Sequence, residues 1–292
     1  MTGRSGGTGA CARLQGWLQL THPGPSLATT LLTFACARAA GGGRRRPGCD
    51  RARRAAAAMV LAQASTGCLN DWADAGRDAV AQPYKPIPRG RVGRTAAGWV
   101  GVGLGAAALA VARPLGRPAQ RWLWLGLLAG WGYDLGLSGT VASPVPWVVG
   151  LAAVPMLGIR AAAGRTPVRR SLVPLVGVLA TAAHLANGAP DAGTDLGRRR
   201  RGLPARLGTR ASWRAARAGT LLAAAGVVAS APEGRRVRSL AWALPAALAV
   251  AGDRRRGGGG RRPGSMPFVR HACASVLVGL GWLSGGWRAG PP

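Results

Sequence analysis

Nine apolar stretches, each separated from the next by arginine, glycine or proline, recur along this 292-residue chain. They cover residues 25–40, 55–69, 95–112, 119–137, 145–163, 171–189, 215–231, 240–251 and 271–287. Crossing a bilayer core takes about 20 residues, within a range near 17–25. Several stretches fall short of that, 240–251 most of all. Long arginine stems can reach the interface and lengthen a short stretch. Gly103, Gly105, Pro155, Pro174, Gly177 and Pro245 interrupt the stretches, as membrane helices tolerate better than soluble ones. Eight of the eleven tryptophans lie in or at the end of a stretch, as an interfacial belt requires. The expectation is an all-α, polytopic membrane protein with about nine transmembrane helices. A polar, glycine-rich segment over 1–24, without a visible secretory cleavage signal, leads into a single transmembrane domain over 25–292. Its halves run roughly 25–137 and 138–292.

The charge balance is lopsided: 39 basic residues against 9 acidic, a formal +30. On a soluble domain that would suggest nucleic acid. Here the arginines are interleaved with apolar stretches of near-spanning length, which argues against a nucleic-acid partner. Abundant arginine, alanine, glycine and proline together read as the compositional drift of a GC-rich genome. The scarce residues then carry the information. The five cysteines, Cys11, Cys36, Cys49, Cys68 and Cys273, contain no C-x-x-C, so reduced, packing cysteines are expected rather than a zinc or redox pair.

Five of the nine acidic residues fall in two nine-residue windows. One reads Asn70-Asp71-Trp-Ala-Asp74-Ala-Gly-Arg77-Asp78, the other Asn187-Gly-Ala-Pro-Asp191-Ala-Gly-Thr-Asp195. Both fit N-x-x-x-D-A-G-x-D, 117 residues apart, at the ends of the second and sixth stretches. Two repeated helical halves are the simple explanation. On a helix, Asp71, Asp74 and Asp78 share one face, as do Asp191 and Asp195. Stacked carboxylates repel unless a cation neutralises them. Mg²⁺, held by carboxylates and phosphate oxygens, suits that chemistry. Two such clusters on facing helices would grip a diphosphate through metal. The alternative is solvated helix ends facing nearby arginines. After the first window, the sole lysine, Lys85, stands in Pro83-Tyr84-Lys85-Pro86-Ile87-Pro88-Arg89-Gly90-Arg91-Val92. A compact ammonium on a proline-braced loop suits a phosphate, and Arg77 can reach the same anion.

These residues closely resemble the UbiA superfamily of intramembrane prenyltransferases. The match lies in N-D-x-x-D-x-x-x-D over 70–78, the K-P-I-P-x-G-x-V run over 85–92, and the second Asp-rich motif at Asn187, Asp191 and Asp195. Gly202-Leu203-Pro204 and Leu207-Gly208 are similar too, and the family's nine helices match the count. The resemblance implies Mg²⁺-dependent transfer of a prenyl group from a polyprenyl diphosphate to an acceptor, usually aromatic, as in isoprenoid and quinone biosynthesis. It implies that Asp71, Asp74 and Asp78 hold one Mg²⁺ and Asp191 and Asp195 another. Lys85 and Arg77 would contact the diphosphate, and Asn70 and Asn187 fall on the motif asparagines. One departure stands out. Similar members tend to carry a basic residue near position 138, and this chain has Ser138. Tyr133 and Asp134, just before it, either face the substrate cavity or form a structural pair.

Three other readings remain open from the residues alone. A membrane transporter or lipid-binding protein with inverted-repeat halves would bind its substrate without metal. A soluble terpenoid synthase also uses aspartate-rich helices, but a single glutamate, Glu233, does not supply the polar faces such helices need. A basic nucleic-acid binder is the third. His184, one turn before Asn187, is either a general base or, preferably, a hydrogen-bonded helix histidine. His22 and His271 read as segment-edge residues. With every basic residue assigned to its nearer end, the motif side carries 21 and the other 18. The motif loops are therefore placed on the cytoplasmic side of a bacterial plasma membrane.

Overall fold

Where the chain is apolar it is helical. The computed structural model describes residues 6–41, 46–193, 201–252 and 266–288. Among them there is no β-strand, and one isolated bridge joins Val168 to Arg288. Each of the nine apolar stretches lies within or largely within a helix. These are α2 (Pro23–Ala40), α3 (Arg46–Ala81), α4 (Arg94–Ala112), α5 (Arg117–Asp134), α6 (Pro144–Ala163), α7 (Leu172–Gly188), α9 (Thr209–Ala229), α10 (Arg236–Ala251) and α11 (Met266–Ser284). Two further helices flank them: α1 (Gly6–Leu20), inside the segment read as a polar lead-in, and the five-residue α8 (Leu203–Leu207).

Proline and glycine set the boundaries. Pro23, Pro118, Pro144 and Pro204 fall in first helical turns, where the missing N–H costs nothing. Gly164 leaves α6 at φ 59°, a positive φ that glycine adopts without steric cost. By length and composition alone, residues Arg94–Leu115 and Pro144–Ala163 are each able to cross a membrane. Leu203–Ala229 and Glu233–Ala251 pass only as a pair, bent by 120° at their break. Nine longer helices among the described residues carry the nine stretches, and two of them are by themselves long and apolar enough to cross a membrane.

Helix α3 departs most from its apolar stretch. It runs for 36 residues, well past Leu69 where apolarity ends. No proline interrupts these last turns before Pro83, and their aspartates are met by Arg77 on the same helix and by Lys85 on the loop that follows, so nothing forces the helix to stop.

The helices pack mainly against sequence neighbours: α3 on α4, α5 on α6, α9 on α10 and α10 on α11. Helix α2 reaches across to α6, and α7 to α9. Small residues allow close approach, the usual device where lipid removes the drive to pack. At the α2–α6 crossing, a Cβ on Gly158 would lie 2.3 Å from the Thr33 carbonyl oxygen. The Thr33 hydroxyl in turn donates to the Val154 carbonyl at 3.0 Å. Replacing Gly158 with valine should push α2 off α6 and cost about 1–3 kcal/mol. The expected outcome is a clearly lower unfolding temperature in detergent, followed by tryptophan fluorescence.

Candidate active site

The alternating directions of the helices bring five helix ends to one place. Helix α2 begins there, α3 ends there, α5 ends at Tyr133 and Asp134, α6 begins there, and α7 ends just after Asn187. Below this rim lies an apolar cavity of about 380 Å³. His22, Asn70, Tyr133, Asp134, Trp147 and Asn187 line its upper part, and Cys36, Met59, Leu123, Leu127 and Trp282 lie deeper. The asparagines of the two motifs, 117 residues apart in sequence, thus face the same space.

The first motif is wholly helical, and its acids point to more than one partner. Asp71 and Asp78 are buried, at 4% and 1% exposure. Lys85 bridges them, donating to Asp71 Oδ1 at 2.9 Å and Asp78 Oδ2 at 2.7 Å. The loop that carries it is braced by its own backbone: Arg89 N–H donates to the Lys85 carbonyl, and Arg91 N–H to that of Pro86. Burial pushes the Lys85 ammonium down, but the two aspartates outweigh this and hold it above its ordinary value. The folded value is raised, so the pair's contribution is complete at neutral pH and is lost only as pH climbs through that raised value. Asp74 pairs with Arg77 one turn on. Asn70 donates to Asp134 Oδ1 at 2.9 Å.

His22 belongs to this site, although in sequence it looks like a segment edge. Its Nε2 lies 3.5 Å from Asp71 Oδ1. It is also the one non-glycine residue at positive φ, 47°, among the described residues, and backbone of that kind persists where surrounding structure enforces it. Here the enforcement is close packing. A Cβ on Gly67 would lie 2.3 Å from the Leu20 carbonyl oxygen, so α3 presses directly on the turn that presents His22. Spacing gave no sign of this; only its place before Pro23, at a helix start, hints at a fixed position.

The second motif is built differently from the first. Its helix stops at Gly188 because Pro190 cannot continue the α7 ladder, whereas the matching position in the first motif is Ala73. Asp191 therefore sits exposed on the turn after α7, its N–H donating to the Gly188 carbonyl at 3.3 Å. Asp191 is thus on a turn and not on a helix continuous with α7; its expected stacking with Asp195 lies outside the described residues. His184 is the structural histidine that the sequence favours. It is buried, with Nε2 2.9 Å from the Ser143 hydroxyl, and it packs against Tyr133 and Trp147. His271 is likewise buried, beside Thr220 and Trp213, and is not a segment-edge residue. Cys36 and Cys68 are buried free thiols.

With Lys85 and Arg77 engaged as they are, no three acidic, histidine or thiol groups among the described residues converge on an ion position. The first motif nonetheless suits a hard cation. It gathers carboxylate oxygens on one helix face, and Asp78 Oδ1 is buried without a hydrogen-bond partner. An ammonium already occupies the neighbouring oxygens, where positive charge is clearly needed.

The model of the UbiA prenyltransferase family matches residues 26–257. No curated protein sequence matches the chain. Among solved structures, a UbiA homologue from Archaeoglobus fulgidus bound to GPP and Mg²⁺ superposes with a TM-score of 0.68 at 12% identity, over 92% of this chain and 99% of that one. A UbiA homologue from Aeropyrum pernix K1 gives 0.65 at 17% identity, over 88% and 96%. A digeranylgeranylglyceryl phosphate synthase gives 0.61 at 13% identity, over 94% and 98%. At such identities the likeness is one of fold.

Lys85→Ala would leave two buried carboxylates facing each other. Removing one partner of a buried pair typically costs about 3–5 kcal/mol; because Lys85 keeps 18% of its side chain exposed, the lower end is expected. The variant should unfold at lower temperature in EDTA and recover much of the loss in millimolar Mg²⁺.

Proposed function

The chain belongs to the UbiA prenyltransferase family, and we propose that it transfers a prenyl group from a polyprenyl diphosphate to a lipid-soluble, typically aromatic acceptor within the membrane, with Mg²⁺ as cofactor. One observation carries the reading: buried aspartates neutralised by the chain's only lysine adjoin Asn70 and His22, which line an apolar cavity. The A. fulgidus homologue, which holds GPP and Mg²⁺ on the same fold, supports it.

Asp71, Asp74 and Asp78 would hold one ion, and Asp191 with Asp195 the other. The bound ion supplies charge neutralisation of the departing diphosphate. Lys85 and Arg77, freed from their aspartates, would turn their donors to the diphosphate oxygens. Asn70 and Asn187 would fix the anion from opposite walls. The aliphatic and aromatic lining below them takes the prenyl tail and keeps water from the allylic cation. Acceptors of this type place the reaction in isoprenoid or quinone formation. We place the site at the cytoplasmic face of a bacterial plasma membrane, in a single domain over 25–292.

Asp74→Asn and Asp191→Asn should each lower transfer by at least about a hundredfold, with the protein still folded in detergent. Labelled prenyl diphosphates, Mg²⁺ and a panel of acceptors, with products identified by mass, measure this. A wild-type rate in Asp74→Asn would refute the metal assignment.

A further inference from the structure

The cavity wall carries an acid with unmet hydrogen-bonding capacity and, among the described residues, no lysine or arginine to match an acidic substrate. Asp134, on the last turn of α5, lines the cavity. Its Oδ1 accepts from Asn70 at 2.9 Å, while Oδ2 is buried with no hydrogen-bond partner. A buried polar atom left in that state costs free energy until a donor reaches it. Among the described lining residues there is no lysine or arginine. The nearest cations of the rim, Lys85 and Arg77, are engaged by the motif aspartates. At position 138, where a basic residue is expected from the resemblance, stands a serine outside the lining.

We propose that Asp134 Oδ2 binds the hydroxyl of the acceptor, so that the acceptor is a neutral hydroxylated molecule rather than a carboxylic acid. This rests on the prenyl-transfer reading and narrows its substrate class. A hydroxyl both donates and accepts, and so satisfies Oδ2 whether Asp134 is ionised or neutral. A carboxylate would instead bring a further negative charge beside Asp134, Asp71 and Asp74 in a low-dielectric pocket. Tyr133 and Trp147, packed edge to face at 6.0 Å on the same wall, offer ring surface to an aromatic hydroxyl compound. The Asn70 amide holds the carboxyl in orientation. Since Asn70 is also the first residue of the diphosphate-side motif, it links acceptor and donor positions.

The test uses the full chain in detergent with Mg²⁺ and a matched pair of acceptors, hydroquinone and 4-hydroxybenzoate. Binding is followed by quenching of the cavity tryptophans in the presence of a prenyl thiolodiphosphate, and transfer by product mass. Wild type is expected to bind and prenylate hydroquinone with at least tenfold higher kcat/KM than 4-hydroxybenzoate. Asp134→Ala should raise the hydroquinone KM and Kd tenfold or more while leaving the Kd of the thiolodiphosphate unchanged. Asp134→Asn, which keeps an acceptor oxygen and the side-chain shape, should lie between. Preference for 4-hydroxybenzoate, or an unchanged hydroquinone Kd in Asp134→Ala, overturns the proposal alone. Failure of either acceptor to bind while the thiolodiphosphate does also overturns it. Failure to bind the thiolodiphosphate at all overturns the prenyl-transfer reading with it.

Discussion

Two buried carboxylates and one ammonium organise the end of this bundle. Asp71 and Asp78 lie two turns apart on one face of α3, and neither can stay charged in that place without a neighbouring cation. Lys85 supplies it from a loop that folds back across the helix end. The pairing lets α3 run as a helix through its aspartates and ties the loop back to that helix.

The rest of the site follows from helix direction. Successive helices alternate, so the end of α3, the end of α5 and the end of α7 share a rim with the starts of α2 and α6. This is how Asn70 and Asn187 face one cavity and how Asp134 comes within hydrogen-bonding distance of Asn70. Glycine contacts bring α2 against α6 at Gly158 and α3 against the turn before His22 at Gly67. The polar groups beneath the rim pair in part: Ser143 with His184 Nε2 and Thr220 with His271 Nδ1, while His184 Nδ1 is buried without a hydrogen-bond partner.

Much of this was legible in the sequence, and for identifiable reasons. Apolar stretches had to become helices, because backbone polar groups in lipid must be satisfied internally. The repeated motif was visible because acid is so scarce here. Helix ends were less legible. Helix α3 outruns its apolar stretch because its aspartates are met by Arg77 one turn on and by Lys85 on the loop that folds back, whereas α7 stops before Asp191 because Pro190 is local and decisive. His22 was not legible at all. Its value comes from a turn held at positive φ by α3, a contact between residues about 45 apart.

The sequence by itself determined the class of protein and the chemistry it concentrates: membrane helices, two aspartate windows and one lysine. Those are matters of periodicity and composition, which are local. Only the tertiary structure decided which of these groups meet. That Lys85 neutralises Asp71 and Asp78 is decided by how its loop folds back on α3; that His22 joins them, and that Asp134 keeps one oxygen unsatisfied, are decided by helices meeting. Electrostatic pairing acts over a few ångströms of space, whatever the separation along the chain.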